Sequence, residues 1–246
     1  MQPFRLAPAF QDYLWGGDKL KTEFKKKTDL DIVAESWELS AHPDGESTIA
    51  EGELKGMPLS EFAAQYPALL GTKAQGMERF PIMIKLIDAK GMLSIQVHPD
   101  DAYAQKMEGE SGKTEMWYIL GSAPDSFLYY GFQHEITKNE MRRRIEAGTI
   151  TDALKKLYVK KGDVVYIPAG TIHAIGAGLL LAEIQQNSNA TYRVYDFGRL
   201  GADGKPRELH VEKALEVTTR KPAQLQAPGG GEQNEHKGYT LRRLAE

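Results

Sequence analysis

The sequence contains no cysteine among its 246 residues. Disulfides and thiolate metal ligands are therefore excluded, and any bound metal must be held by His, Glu, Asp or Gln. No apolar run approaches the roughly 18 residues of a membrane span, and Met1-Gln2-Pro3-Phe4-Arg5 lacks the apolar stretch of a secretory signal. A positive excess is missing as well, since 31 Lys and Arg stand against 34 Asp and Glu, a formal net charge of −3. That balance argues against the basic face that nucleic acid or an anionic membrane surface would require, but leaves room for a small basic pocket. These absences predict a soluble, cytoplasmic protein; the expected partner is a small molecule, and either a monomer or a homodimer is open.

What is present reads as mainly β. Glu35 to Ser40 alternates as a strand should, and Asp44-Gly45 marks a hairpin turn ahead of Ser47 to Ala50. Leu59, Phe62, Ala63 and Tyr66 recur at helical spacing between Pro58 and Gly71. Pro81 to Ala89 and Met92 to His98 are apolar strands, with Lys90-Gly91 as a candidate tight turn joining them in a hairpin. Asp100 to Lys106 reads as a short helical turn, and Asp100 as its cap; Lys85 reads as a surface residue. Glu115 to Leu120 and Phe127 to Tyr130 carry the aromatic and β-branched residues of strands. Thr137-Lys138-Asn139-Glu140 is a capping-box pattern, so a helix should run to Ala147 and stop at Gly148, with a second short helix over Thr151 to Leu157. Strands are expected over Val164 to Ile167, Leu179 to Ile184 and Thr191 to Phe197, a turn at Asp203-Gly204, and a helix over His210 to Thr218. Ala227 to Asn234 has the composition of a flexible linker. The expected organisation is one domain over residues 1–226 with a helical insertion near 137–158, then linker and tail over 227–246. Many short strands with few helices indicate a jelly-roll barrel.

Two stretches carry the chemistry. In Ser94-Ile95-Gln96-Val97-His98-Pro99-Asp100-Asp101, alternation along a strand turns Gln96 and His98 to one face and Ile95 and Val97 to the other. In Gly162 to His173, Pro168 fixes φ and Gly170 supplies an unusual dihedral, so the corner aims His173. If Glu115 and His173 sit on neighbouring strands, four donors converge on a metal: Gln96, His98, Glu115 and His173. Ser94 and Lys113 lie two residues before Gln96 and Glu115 and would share their faces. Arg193 alternates with Tyr192 and Val194 in a strand and should face a barrel mouth. Glu183 is a candidate interior carboxylate, while His42, His134, His210 and His236 show no partner pattern.

Pro-Ala-Gly-x-x-His resembles the second sequence motif of the cupin superfamily. More narrowly, Ser-Ile-Gln-Val-His-Pro-Asp-Asp, Gly-Lys-Thr-Glu-Met-Trp-Tyr, Pro-Ala-Gly-Thr-Ile-His-Ala-Ile and Asn-Ser-Asn-Ala-Thr-Tyr-Arg-Val-Tyr-Asp, in that order, resemble the type I mannose-6-phosphate isomerases. Leu14-Trp15-Gly16-Gly17 and Glu35-Ser36-Trp37-Glu38 are similar to that family's N-terminal segments. The resemblance implies a cupin-type jelly-roll barrel and one zinc per chain on Gln96, His98, Glu115 and His173, a donor set that would also suit Mn²⁺, Co²⁺ or Fe²⁺. It also implies Ser94 and Lys113 near a substrate phosphate, and Arg193 close to the reacting carbons. The implied activity is an aldose–ketose isomerisation of mannose 6-phosphate to fructose 6-phosphate through an enediol. Lys113 and Arg193 would stabilise its charge; Glu183, a water on the metal, and a lysine of lowered pKa remain open as the base. Competing readings are a metal-dependent oxygenase, which the Gln donor disfavours, and a non-catalytic sugar-phosphate-binding or regulatory cupin. The resemblance implies a further β-rich C-terminal region, most of which the tail after the linker is too short to contain.

Overall fold

A computed structural model of the chain describes residues 3–71, 77, 80–201 and 204–224, with the backbone of 234–236 and 239–241. The N-terminal segment supplies β1 (Leu6–Ala7), β2 (Ala9–Gln11), the short α1 (Lys19–Thr22) and β3 (Glu35–Leu39). The expected hairpin at Asp44-Gly45 is β4 (Ala41–His42) and β5 (Gly45–Glu46), followed by β6 (Thr48–Ile49). In α2 (Leu59–Gln65) the helix begins after Pro58, and a single 3-10 turn over Pro67–Leu69 carries the chain to Gly71. Pro67 cannot donate to the helical ladder, so the α-helix ends before it.

The centre of the chain provides β7 (Ile82–Ala89), β8 (Ile95–Val97), α3 (Asp101–Met107), β9 (Glu115–Ser122) and β10 (Phe127–Phe132). Asp100 caps α3, its Oδ1 accepting from Tyr103 N at 2.8 Å. Then come α4 (Lys138–Glu146), β11 (Leu154–Tyr158), β12 (Val164–Ile167), β13 (His173–Ile175), β14 (Leu179–Gln186), β15 (Tyr192–Tyr195) and α5 (Val211–Val217). The N-cap half of the expected capping box forms at Thr137, whose hydroxyl accepts from Glu140 N at 3.1 Å, while the Glu140 carboxylate accepts from Arg144 instead; Gly148 ends the helix at φ +69°.

Two antiparallel sheets form the body. One has the order β12-β9-β14-β7-β3-β2 and the other β11-β10-β13-β8-β15. Their inner faces meet in a core of Ile87, Trp117, Ile119 and Leu181 from the first sheet against Leu128, Tyr130 and Ile175 from the second. The outer face of the five-stranded sheet is covered by helices. Ile95, Val97 and Val194 pack there against Met141, Ile145, Ala214 and Leu215, each large aliphatic contributing roughly 1.5–3 kcal/mol by its burial. The architecture is the expected mainly-β, cupin-type double sheet.

Three local expectations fail. Lys90-Gly91 does not close a hairpin, because β7 and β8 lie in opposite sheets; Gly91 N donates to Trp15 O at 2.8 Å as the chain crosses between them. Residues 151–157 do not form a helix. A 3-10 turn over Ile150–Ala153 leads into β11, which pairs Leu128 with Leu157 and Phe127 with Tyr158. Sheet hydrogen bonds at an open edge outweigh a modest helical preference there, and Lys155 and Lys156 keep that edge polar. Lys85 is buried rather than at the surface. Asp203 and the linker over 227–233 lie outside the described residues.

The corner after Pro168 needs the glycine its sequence supplies. Gly170 has φ +83°, and a Cβ there would stand 2.9 Å from Val217 O. Replacing Gly170 with Ala should cost about 1–2 kcal/mol from the left-handed backbone, read as a lowered urea midpoint at unchanged slope.

Candidate metal centre and active site

Backbone register places the candidate residues in two facing rows. On the five-stranded sheet, Arg193 is opposite Gln96 and Gln96 is opposite His173. On the six-stranded sheet, the row runs Trp117, Glu183, Lys85, Trp37, with Glu115 two residues from Trp117 and paired to Gln185. Directly opposed residues share a face, and here both faces point inward. His98 follows β8, and its carbonyl accepts from Gly170 N at 2.8 Å. That one bond ties the first motif to the corner that aims His173.

At the centre, His98, Glu115 and His173 are buried, with one ligand atom from each lying within 4.8 Å of the others. His173 Nδ1 faces Thr171 O at 2.8 Å and His98 Nδ1 faces Ala190 O at 3.0 Å. A carbonyl only accepts, so each Nδ1 carries the proton and each Nε2 presents a lone pair inward. Those lone pairs meet Glu115, with His173 Nε2 3.1 Å from Oε1 and His98 Nε2 3.4 Å from Oε2. Gln96 Nε2 lies 3.5 Å from His173 Nε2, an amide N–H facing a lone pair; turning the amide by a half-rotation would present its oxygen there instead. Acceptors facing acceptors in a dry interior are unfavourable unless a cation joins them. Lys113 Nζ, 3.0 Å from His98 Nε2 and 2.5 Å from Glu115 Oε2, supplies one positive charge.

The protonation states suit metal binding. Burial, then the nearby Lys113 charge, pushes His98 well below the usual imidazole range, keeping it neutral. Burial alone would raise Glu115, but the adjacent Lys113 charge, the largest of the opposing influences, holds the carboxyl well below its ordinary range. These residues fit a divalent cation.

Beside this centre stands a constellation that sequence reading only half identified. Lys85 Nζ lies 3.4 Å from Glu35 Oε2 and 3.6 Å from Glu183 Oε1, and sits 4.5 Å over the Trp37 ring. Each carboxylate also accepts an indole N–H: Trp37 to Glu35 at 2.6 Å and Trp117 to Glu183 at 2.9 Å. Burial lowers the Lys85 pKa, yet the charges of Glu35, Glu183 and Glu115 more than reverse it, so Lys85 is firmly charged. The lysine of lowered pKa considered from the sequence is therefore not Lys85. Glu183 moves the other way: burial and then Glu115 raise it, against Lys113 and Lys85. Counted as ionised, Glu35, Glu115 and Glu183 exceed Lys85 and Lys113 by one negative charge, a further reason for a cation to be welcome.

A cavity of about 260 Å³ lies beside the centre and opens onto the Lys85 constellation; it is lined by Ser94, Gln96, Lys113, Glu183 and Arg193, as expected from sequence. Lys85, Glu35, Tyr13, Asn189 and Arg207 line it too and were not anticipated. The missed signal for Lys85 is a charge inside the apolar run Ile82 to Ile87, since a buried strand tolerates a charge only where it is paired. Among the remaining histidines, His42 accepts from Asp44 N at 3.1 Å and His210 from Arg193 N at 3.1 Å, while His134 is exposed.

Replacing His173 with Ala should lower retained metal on the order of ten-fold or more, measured by elemental analysis after dialysis. Retention equal to wild type would remove His173 from the ligand set.

Comparisons with known proteins agree with this geometry. Residues 3–119 match the family model described as phosphomannose isomerase type I, catalytic domain. A mannose-6-phosphate isomerase of Streptococcus mutans serotype c is 42% identical over 223 residues, covering 90% of this chain and 70% of that protein. Another from Bacillus subtilis is 43% identical over 217 residues, covering 88% and 68%. The crystal structure of the mannose 6-phosphate isomerase from Bacillus subtilis superposes with a TM-score of 0.88 at 40% identity, covering 98% of this chain and 75% of that one. On the facing rows, the acceptor-lined centre and these relatives together, the chain belongs to the metal-dependent type I phosphomannose isomerase family.

Proposed function

We propose that this chain is an aldose–ketose isomerase interconverting mannose 6-phosphate and fructose 6-phosphate, with residues 1–226 as its catalytic unit in a cytoplasmic setting. One observation carries the reading: Gln96 and Lys113, which abut the buried His98–Glu115–His173 cluster, line the same cavity as the buried Lys85–Glu183 pair. A divalent cation, zinc foremost, would be held by Gln96, His98, Glu115 and His173 and would supply Lewis acidity toward the sugar's carbonyl and hydroxyl oxygens.

The chain's own residues account for the proton transfer. Glu183 is the proposed base at C2, because a carboxylate raised toward the working pH is a better base than an ordinary one. Trp117 Nε1 holds one of its oxygens at 2.9 Å and leaves the other toward Lys85 and the cavity. Lys85, kept charged by its two carboxylates, stabilises negative charge as it develops on the enediolate without needing to move. Arg193, on the opposite wall, contributes a second fixed cation at the cavity. The inward faces of Trp15, Ile87, Leu93 and Ile175 limit water around the reacting carbons. A purely sugar-phosphate-binding role would not require a raised carboxylate beside a firmly charged lysine. Among the described residues no helix is long and apolar enough to cross a membrane.

In a coupled assay for fructose 6-phosphate formed from mannose 6-phosphate, turnover should vanish after chelation and return with a divalent cation. Persistent turnover without metal would sink the proposed centre. Glu183→Gln should lower kcat by about 10²–10⁴-fold while metal content stays at the wild-type level; a loss under about three-fold would move the base elsewhere.

A further inference from the structure

Three segments far apart in the chain meet on one carboxylate that the proposed reaction does not use. Glu110 lies in the loop between α3 and β9, three residues before Lys113 and five before Glu115. Its Oε2 accepts from Ser188 Oγ at 3.1 Å and from Asn189 N at 3.2 Å, both in the turn between β14 and β15. Its Oε1 stands 3.3 Å from Nε2 of His42, a buried residue at the end of β4. His42 Nδ1 already accepts from Asp44 N, so the ring proton is on Nε2 and is donated to Glu110. Asn189 Nδ2 donates to Asp44 Oδ2 at 2.8 Å, which closes the contacts into a ring.

The turn held in this way carries two functional groups in succession. Asn189 lines the cavity. Ala190 supplies the carbonyl 3.0 Å from His98 Nδ1, the contact that turns the Nε2 lone pair of His98 toward Glu115. A short relay joins Glu110 to that carbonyl's residue, since Ser188 Oγ donates to Glu110 and accepts from Ala190 N at 3.1 Å. Gln185, opposite Glu115 in register, supports the turn from within, its Nε2 donating to Ser188 O at 2.6 Å. Residues 187–191 belong to no strand, so side-chain bonds such as these, the charge-assisted ones foremost, set the place of the Ala190 carbonyl.

We infer that Glu110, oriented by His42, is a positioning residue for the metal centre: it holds the 188–190 turn so that Ala190 O fixes the ring of His98 and Asn189 faces the cavity. This rests on the metal-centre reading above and deepens it. Glu110 acts through the turn and touches none of the four proposed ligands. Its place in the chain adds to the effect. The loop that contains it leads into β9 of the six-stranded sheet, which delivers Glu115, whereas His98 follows β8 of the five-stranded sheet. One carboxylate thereby ties the segment bringing the acidic ligand to the turn that aims an imidazole from the other layer.

The test measures the Zn²⁺ affinity of the full chain by competition with a chromophoric chelator. Glu110→Ala should raise the Kd by about 10–100-fold, the usual effect of removing an outer partner that orients a ligating imidazole. Glu110→Gln keeps the size and one acceptor oxygen, so its loss should be smaller; it takes the place of the Ala variant in both measurements if that variant does not accumulate. His42→Ala should move the Kd in the same direction. A Kd within about two-fold of wild type in the Glu110 variants, below the range for such partners, would overturn the inference. A second readout separates positioning from general stability. In the metal-free chain labelled with ¹⁵N, the His98 ring should be the Nδ1-protonated tautomer in wild type and a mixture of both tautomers in Glu110→Ala. The ring of His173, held by Thr171 O at 2.8 Å, should stay unchanged in both and serves as the internal control. Equal His98 tautomer populations in wild type and variant reject the inference, as does an equal change at His173. If the wild-type chain binds no Zn²⁺, the metal-centre reading falls by that result, and the tautomer comparison still decides whether Glu110 positions His98.

Discussion

The bond from Gly170 N to His98 O, 2.8 Å long, is the constraint on which the functional part of the molecule depends. It joins the end of β8 to the corner before β13, which fixes His98 and His173 relative to each other. Their ring centroids stand 4.8 Å apart. Each ring is then oriented from behind by a backbone carbonyl, so both Nε2 atoms look into the same space. Because Glu115 approaches from the other sheet, the centre exists only when the two layers pack. Folding and assembly of the site are one event, in which the apolar core between the sheets holds charged groups that would otherwise seek water.

The interior polar groups are organised by exchange rather than neutralised one by one. Lys85 serves two carboxylates, each of which is also held by an indole N–H. An isolated buried ammonium would carry a penalty of several kcal/mol, so the tryptophans and carboxylates are best read as a single unit. That unit sits in strand register, where a one-residue slip would turn every member to the outer face. The eight-residue pairing of β7 with β14 makes such a slip costly, since all of their opposed pairs would be broken together. Rigidity in the sheet thereby becomes precision in the cavity.

The division of charge across the cavity follows from topology. Carboxylates come from the six-stranded sheet, and guanidinium groups come from β15 and the loop after it. A ligand that is electron-rich at one end and reactive at the other is oriented by such a field before any specific contact forms. Helices α4 and α5 stay on the outer face of the five-stranded sheet, where they support β8 and β15 without entering the site.

Much of this was legible in the linear sequence. Period-two placement put Gln96 and His98 on one face, and the Pro168–Gly170 corner marked His173, because those signals are local and concern backbone geometry. The N-cap at Thr137 and the stop at Gly148 were readable for the same reason. Lys85 and Arg207 were not, since nothing within a few residues distinguishes a paired interior cation from a solvated one. The Lys90-Gly91 hairpin and the helix after Thr151 failed because strand partners are chosen across the whole chain, and competing edges outweigh local turn and helix preferences. By itself the sequence determined the strand-rich character, the absence of thiol donors, the shared face of Gln96 and His98 and the corner before His173. Only the tertiary structure decided which strands face one another, and with that which charges meet, because contact between layers depends on packing of residues far apart in the chain.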